Sequence, residues 1–195
     1  MKLAIDIDDV VLATTEKIVS ILKDKYDLLV NVDDINVFNM EESVGVDPKL
    51  IPVVVNEAIN SEYIEPIFGA VSTINWLGNY YEPIYFITNR YSYQSTLDQI
   101  QQLELDTEYE IKLCGKTSDG TPNKAELIND LGITTVIEDR METILDICVR
   151  TSANILVFDR PWNKDIEEND RIYRVRNWIP DIIHWFMNHR LRRSR

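Results

Sequence analysis

The chain opens with MKLAIDIDDV (residues 1–10), a short apolar run followed at once by three carboxylates. Residues 2–6 predict a buried β-strand, because they are almost continuously hydrophobic. Asp6, Asp8 and Asp9 come at its end, where carboxylates this close together repel one another unless a cation lies among them. The stretch therefore predicts both the first strand of a sheet and a charged site at its carboxyl end.

Similar apolar runs recur along the chain and alternate with amphipathic helical patterns. The predicted strands cover residues 2–6, 82–88, 110–115, 134–139, 154–159 and 171–175. The predicted helices of this part cover residues 68–81, 92–103, 122–132, 141–150 and 180–190. Thr121 is expected to cap the third of these helices, Pro122 to begin it and Gly132 to end it. The alternation predicts the α/β class: a Rossmann-like, doubly wound parallel sheet with right-handed crossovers.

One connection is much longer than the others. Roughly 75 residues separate the first two predicted strands, whereas a βαβ crossover needs only about a dozen. Residues 15–65 follow mainly helical patterns, so we predict a small helical cap inserted after the first strand. The predicted division is a core of residues 1–14 and 69–195 and a cap of residues 15–68. The alternative is a helical decoration that contacts no site, but an insertion at the carboxyl edge of a parallel sheet lies where such folds bind ligands.

Composition narrows the classes of function. The 195 residues include 33 acidic and 20 basic side chains, a formal net charge of -13, which disfavours binding to nucleic acid. No apolar run reaches membrane-spanning length and no signal-peptide pattern is present, so we expect a cytoplasmic protein that does not bind membranes. Cys114 and Cys148 are predicted to be reduced, partly buried thiols. The sequence leaves open whether the protein forms a homodimer.

Polar residues end four of the predicted strands. Because the carboxyl ends of parallel strands share one edge of a sheet, we expect these tips to converge on one crevice. Lys124 lies near the start of the helix after the third strand, where free N–H groups favour an anion. The tips are Asp6-Ile7-Asp8-Asp9, Thr88-Asn89-Arg90, Glu138-Asp139-Arg140 and Asp159-Arg160.

The chemistry that fits these tips is phosphoryl transfer assisted by Mg²⁺, which prefers oxygen ligands. Asp6 and Asp139 are the expected pair of carboxylate ligands. Asp6 could also attack phosphorus, and Asp8 could protonate the leaving oxygen and then deprotonate water. Thr88 can donate its hydroxyl to a phosphate oxygen, and Lys124 can neutralise the transferring group and Asp6.

In this order the motifs DIDDV, ITN, the lysine of NKAEL, and IEDR resemble those of haloacid dehalogenase-like (HAD) phosphohydrolases. The resemblance implies Asp6 as nucleophile and Asp8 as general acid and base. It implies Mg²⁺ held by Asp6, by the backbone carbonyl of Asp8 and by Asp139. We predict that Thr88, Asn89 and Lys124 bind the phosphate. Relatives usually have glycine where this chain has Asp9.

A finer resemblance concerns the substrate. The segments IFGAVSTINWL, YFITNR, FDRPWN and RVRNW resemble the 5'-nucleotidase and deoxyribonucleotidase branch, which implies a nucleoside monophosphate as the phosphorylated metabolite. Alternatives are a phosphatase of a sugar phosphate or another small metabolite, and a non-catalytic nucleotide-binding member of the fold. For Arg90, Arg140 and Arg160 the alternatives are that one of them contacts phosphate or pairs with Glu138, or that each forms a surface ion pair. The FDRPWN segment (158–163) is expected either to line the crevice or, as we favour, to be only a loop with a buried Trp162.

Overall fold

The computed structural model describes residues 1–36, 45–115 and 123–193, and Thr121 and Pro122 lie outside these ranges. Six parallel strands form one sheet in the order β3-β2-β1-β4-β5-β6. The predicted α/β, Rossmann-like fold class is confirmed. Each strand lies within one or two residues of its predicted bounds: β1 Leu3–Ile5, β2 Ile84–Thr88, β3 Tyr109–Leu113, β4 Thr135–Glu138, β5 Asn154–Phe158 and β6 Ile172–Val175.

Helices connect the strands on both faces of the sheet. Gly132 ends the helix before β4 with a left-handed φ of 65°, as predicted. The last helix begins three residues later than expected, because an irregular turn with extended backbone at Ile179 covers Trp178–Ile182. The helices are α1 Thr14–Tyr26, α2 Leu50–Ile59, α3 Ala70–Gly78, α4 Tyr93–Gln101, α5 Lys124–Leu131, α6 Met141–Arg150 and α7 Ile183–Arg193.

The sheet is buried on both sides, which explains why its strands are nearly continuous in hydrophobicity. Leu3 and Ile5 of β1 pack into the cluster that includes residues of α3, α4 and α7. Ala4 faces the other way and packs with residues of α5 and α6. β1 is therefore covered by helices on both faces, and β2 and β4 are its neighbours in the sheet. The carboxyl ends of these three strands therefore lie side by side.

The segment between β1 and β2 has a hydrophobic cluster of its own. Ile18 and Leu22 of α1 pack with Ile35 and with Val54 of α2. Trp162, from the short turn Pro161–Asn163 after β5, joins the same cluster. The inserted helices thus pack against a loop of the sheet domain. Among the described helices none is both long and apolar enough to cross a membrane. The cap boundaries at residues 15 and 68 stay a prediction.

Candidate active site

A cavity of about 520 Å³ lies between the carboxyl ends of the central strands and the inserted helices. Asp6 and Asp8 line it from the segment after β1, and Thr88 and Asn89 line it from the end of β2. Asp139 and Arg140 line it from the end of β4. Three of the four predicted strand tips therefore meet, because β1, β2 and β4 are adjacent and parallel. The fourth does not, since Asp159 and Arg160 after β5 are not among the described lining residues and Asp159 pairs with Lys164 and Arg174.

Three buried carboxylates form the most acidic part of this site. Asp6, Glu138 and Asp139 each offer an oxygen within 4.8 Å of the others. Burial, and next the charge of Glu138, raise the pKa of both Asp6 and Asp139 well above the ordinary value. Buried carboxylates at this separation disfavour their own ionisation, which a hard divalent cation among them would reverse. The donor set therefore fits Mg²⁺.

Lys124, the first residue of α5, carries the positive charge that balances this cluster. Its ammonium donates to Asp6 Oδ1 at 2.8 Å and to Glu138 Oε2 at 2.6 Å, and its side chain is 2% exposed. Burial lowers the pKa of Lys124, but the two carboxylates outweigh it and the net change is upward. Lys124 thus stays charged beside Asp6, as its predicted role requires.

Glu138 is a member of the site that sequence reasoning did not assign. Its Oε1 accepts hydrogen bonds from the backbone N–H groups of Asp139 and Arg140 at 3.2 and 3.1 Å. Its Oε2 is engaged by Lys124. Glu138 therefore has its oxygens engaged, whereas Asp6 and Asp139 line the cavity. The signal for Glu138 in the sequence was an acidic residue at the end of an apolar strand, because a carboxylate that is buried there needs a partner.

Asp8 lies apart from the three-carboxylate cluster. Its carboxylate accepts from Arg90 Nη2 at 2.6 Å, from Arg90 Nε at 3.0 and 3.2 Å, and from the Thr14 hydroxyl at 2.6 Å. Burial would raise the pKa of Asp8, but the guanidinium and these hydrogen bonds lower it overall. The ion pair of Arg90 is therefore not the surface ion pair that was one of its predicted contacts, since the Arg90 side chain is buried. The Asp8 carboxylate is not among the three clustered carboxylates.

A second layer of contacts holds Arg90. Gln99 on α4 accepts from Arg90 Nη1 at 2.6 Å. The Gln99 amide then donates to the backbone carbonyls of Ser61 at 2.8 Å and Ile59 at 3.2 Å, at the end of α2. A continuous chain of hydrogen bonds therefore joins Asp8 to the inserted helices. No motif in the sequence marks Gln99.

Asp9 turns the backbone and anchors α1. Its φ is 58°, a left-handed value that glycine adopts most readily. Its carboxylate accepts from the Thr15 backbone N–H at 2.8 Å and from the Thr15 hydroxyl at 2.6 Å. Burial raises the pKa of Asp9 to about 6, against the lowering effect of Arg160 and Thr15. Arg160 Nε donates to the Asp9 carbonyl at 2.8 Å. Asp9 thus stabilises the loop that presents Asp8.

The predicted phosphate-binding residues of β2 line the cavity. Thr88 is buried, and its hydroxyl oxygen accepts from the Arg90 backbone N–H at 3.3 Å. The side-chain oxygen of Asn89 is buried without a hydrogen-bond partner among the described residues. Arg140 Nε donates to Glu142 at 3.1 Å, which agrees with its predicted surface ion pair.

Asp139 is held from the loop after β5. Trp162 Nε1 donates to Asp139 Oδ2 at 2.9 Å, and the Asn163 amide donates to the Asp139 carbonyl at 2.7 Å. Trp162 is buried, as expected, but it also lines the cavity, which was the less favoured alternative. Its indole N–H orients an expected metal ligand while its ring joins the cluster of the inserted helices. Hydrogen bonds between distant loops leave no periodic signal in a sequence.

Comparisons with known proteins agree with this geometry at the level of fold. No protein-family model matches the sequence, and no curated protein matches it significantly. A structure described as the HAD-hydrolase YfnB from Bacillus subtilis, bound to magnesium, is 15% identical, with a TM-score of 0.58 over 96% of this chain and 98% of that one. A predicted phosphoglycolate phosphatase from Haemophilus somnus 129pt is 13% identical, with a TM-score of 0.55 over 95% and 97%.

A phosphoserine phosphatase, solved as an analogue of its phospho-aspartyl intermediate, is 17% identical. Its TM-score is 0.53, over 95% of this chain and 97% of that one. Similarities at this level of identity establish the architecture. The six-stranded parallel sheet with its flanking helices is the HAD-like α/β fold.

Proposed function

We propose that this protein is a Mg²⁺-dependent phosphatase that hydrolyses small phosphomonoesters through an aspartyl phosphate on Asp6. The observation that carries the proposal is the buried contact of Lys124 with Asp6, beside Asp139 and with Asp8 two residues further along. A carboxylate nucleophile needs a cation to approach an anionic phosphate, and Lys124 supplies one at 2.8 Å. A simple binding site for nucleotides has no need of a second carboxylate at Asp8.

The chain's own residues divide the reaction into two steps. A carboxylate oxygen of Asp6 attacks phosphorus, and the bond from phosphorus to the ester oxygen breaks. Asp8 gives that oxygen a proton, so that it leaves as an alcohol. Asp8 then takes a proton from water, whose oxygen attacks phosphorus and releases inorganic phosphate from Asp6.

The surroundings of Asp8 suit the second step in particular. Arg90 and Thr14 stabilise the ionised carboxylate, which is the form that accepts a proton from water. The first step needs Asp8 protonated, and the negative charge of a bound phosphate favours that form. Thr88 and Asn89 lie where they can donate to phosphate oxygens.

Asp6, the Asp8 backbone carbonyl and Asp139 would hold the metal. When bound, Mg²⁺ supplies positive charge to the carboxylate cluster and to the phosphate oxygens. The structure of YfnB holds magnesium, and that of the phosphoserine phosphatase is an analogue of a phospho-aspartyl intermediate. We propose the same metal and the same kind of intermediate for this chain.

A nucleoside monophosphate is the proposed substrate, with a sugar phosphate or another small metabolite as the second candidate. The cavity of about 520 Å³ falls in the range that holds small molecules. Tyr91 and Trp162 line it and offer aromatic surface to a base.

Phosphate release over a panel of nucleotides and sugar phosphates tests the proposal, with Mg²⁺ or EDTA, for the wild type and Asp6→Asn. Turnover should need Mg²⁺ and should fall at least a thousandfold in Asp6→Asn, because an amide is a poor nucleophile. The proposal fails if no monoester is hydrolysed or if Asp6→Asn keeps its turnover. Activity on sugar phosphates alone would favour the second candidate.

A further inference from the structure

The cavity has two chemically different walls. The sheet side carries the carboxylates and the polar ends of β2 and β4. Apart from Thr14 and Thr15 at the start of α1, the side contributed by the inserted helices carries only aliphatic side chains among the described lining residues. They are Ile18, Ile35, Ile51, Pro52, Val55 and Ile59.

This apolar wall includes no positive charge. Residues 15–68 contain four lysines against eleven acidic residues, and no arginine or histidine. None of the four lysines, Lys17, Lys23, Lys25 and Lys49, lines the cavity. A carboxylate or second phosphate on the far end of a substrate would therefore meet aliphatic surface and an acidic surrounding.

The basic side chains nearest the carboxylates are already engaged, and Arg160, whose Nη2 is buried without a hydrogen-bond partner among the described residues, does not line the cavity. Lys124 binds Asp6 and Glu138, and Arg90 binds Asp8. Arg140 is the one basic residue among the described lining residues, and its Nε donates to Glu142. Burying an unpaired anion against aliphatic surface is strongly unfavourable, whereas burying apolar surface there is favourable.

From these two walls we propose that the leaving group of the substrate is uncharged and presents an apolar or aromatic face to the inserted helices. The inference rests on the proposed phosphatase activity and names the class of alcohol that the site releases. Nucleosides belong to this class through their bases. Alcohols that carry a carboxylate, such as serine or glycolate, and strongly hydrated sugars do not.

A matched pair of synthetic esters tests the inference. Hexyl phosphate and 6-(phosphonooxy)hexanoate release primary alcohols of nearly equal acidity and differ only in the distal carboxylate. Hexyl phosphate should show a kcat/KM at least fiftyfold higher, with the difference mainly in KM, because the two esters share the same reacting atoms.

Substitutions on α2 test whether the apolar wall causes the preference for hexyl phosphate. Val55→Lys places an ammonium in the apolar wall and should reduce the ratio between the two esters at least tenfold. Val53→Lys is the matched control, since Val53 is on the same helix, 53% exposed and not among the lining residues. Val55→Thr, nearly isosteric, should lower kcat/KM for hexyl phosphate severalfold and covers the case in which Val55→Lys does not fold. Thermal unfolding of each variant reports on folding.

The outcomes separate the inference from the proposed function. If monoesters are hydrolysed but the two esters are turned over equally, the inference is wrong and the phosphatase proposal stands. The same holds if folded Val55→Lys and Val53→Lys shift the ratio alike, or if Val55→Thr leaves hexyl phosphate turnover unchanged. If no monoester is hydrolysed at all, the proposed function fails and the inference fails with it.

Discussion

Arg90 donates hydrogen bonds to the Asp8 carboxylate from two nitrogens, Nη2 at 2.6 Å and Nε at 3.0 Å, although the two residues are 82 positions apart. The guanidinium is 3% exposed and is itself held by Gln99. A bidentate, charge-assisted pair of this kind fixes both the orientation and the ionisation of a carboxylate. Asp8 is therefore presented to the cavity in one position before any substrate arrives.

Arg90→Met tests whether this pair positions Asp8 for proton transfer. We expect kcat to fall by about a hundredfold, the scale of general acid and base catalysis, with KM changed little. The midpoint of Mg²⁺ activation should stay within about threefold, because Arg90 donates to the Asp8 side chain, whereas the expected ligands are the Asp6 and Asp139 carboxylates and the Asp8 backbone carbonyl. Steady-state kinetics at several Mg²⁺ concentrations measures both quantities.

Arg150→Met is the control for Arg90→Met, since Arg150 forms a surface ion pair with Asp146 on α6. It should keep the wild-type kcat. A wild-type kcat in Arg90→Met would show that the pair has no part in the reaction.

The hydrogen bond from Trp162 to Asp139 is predicted to tune metal affinity. Trp162→Phe keeps an aromatic ring in the cluster of the inserted helices but removes the indole N–H. Loss of a partner that orients a metal ligand typically weakens metal binding, and we expect the Kd for Mg²⁺ to rise about tenfold. Titration calorimetry with Mg²⁺ alone measures this without turnover.

Trp76→Phe provides the comparison for Trp162→Phe, because Trp76 on α3 packs against Tyr80 and is not among the residues that line the cavity. Its Kd for Mg²⁺ should match the wild type. Equal affinities in Trp162→Phe and the wild type would mean that Asp139 needs no help from the indole.

Asp9 has a left-handed φ of 58°, a conformation that glycine adopts more readily than other residues. Asp9→Gly should be more stable than Asp9→Ala by about 1 kcal/mol, because alanine is strained in this conformation. Asp9→Asn should be the most stable of the three, since asparagine tolerates this φ and keeps an acceptor for Thr15. Urea denaturation gives the order.

The order should reverse at Asp98, an exposed residue inside α4. There Asp98→Ala should be more stable than Asp98→Gly by about 1 kcal/mol, because glycine is unfavourable in a helix. If alanine is also the better residue at position 9, the backbone account of Asp9 is wrong.

The thiol of Cys114 is predicted to react slowly. Burial raises the pKa of Cys114 to about 12, with Lys124 acting in the opposite direction. Only the thiolate reacts, so at pH 8 the folded protein should be alkylated about a thousandfold more slowly at Cys114 than the unfolded chain. The rate should keep rising tenfold per pH unit up to pH 10, because ionisation is still incomplete there.

Iodoacetamide labelling of Cys148→Ser, with and without denaturant, measures the reactivity of Cys114 alone. A plateau below pH 10 in the labelling rate of the folded protein would contradict the raised pKa of Cys114. A labelling rate at pH 8 within tenfold of that of the unfolded chain would contradict it as well.

The strands and the strand-tip residues were predictable because both are local features of the sequence. A continuous apolar run such as residues 82–88 reports burial on two faces, and parallel pairing then brings Asp6, Thr88 and Asp139 to one edge. For β1, β4 and β5 the predicted strand extends one residue past the true carboxyl end, because Asp6, Asp139 and Asp159 directly continue the apolar run.

The contacts that organise the site were not predictable in the same way. Lys124 with Glu138 and Trp162 with Asp139 join residues 14 and 23 positions apart, and their geometry depends on how crossover helices and loops pack. Gln99 faces Arg90 only because α4 returns along the sheet beside the end of α2. The backbone angle of Asp9 likewise depends on the loop rather than on a motif.

Chemical trapping can detect the transfer of phosphate to Asp6, the step on which the proposed reaction depends. The protein is mixed with Mg²⁺ and a phosphomonoester that it hydrolyses, and the mixture is quenched in acid. It is then treated with sodium borohydride and digested with trypsin. Reduction converts an aspartyl phosphate to an alcohol, and residues 3–17 form one tryptic peptide that also contains Asp8 and Asp9 as internal controls. We expect mass spectrometry to find this peptide reduced at Asp6 alone, and only when substrate is present. Reduction at a different acid, or none while phosphate release continues, would contradict the account.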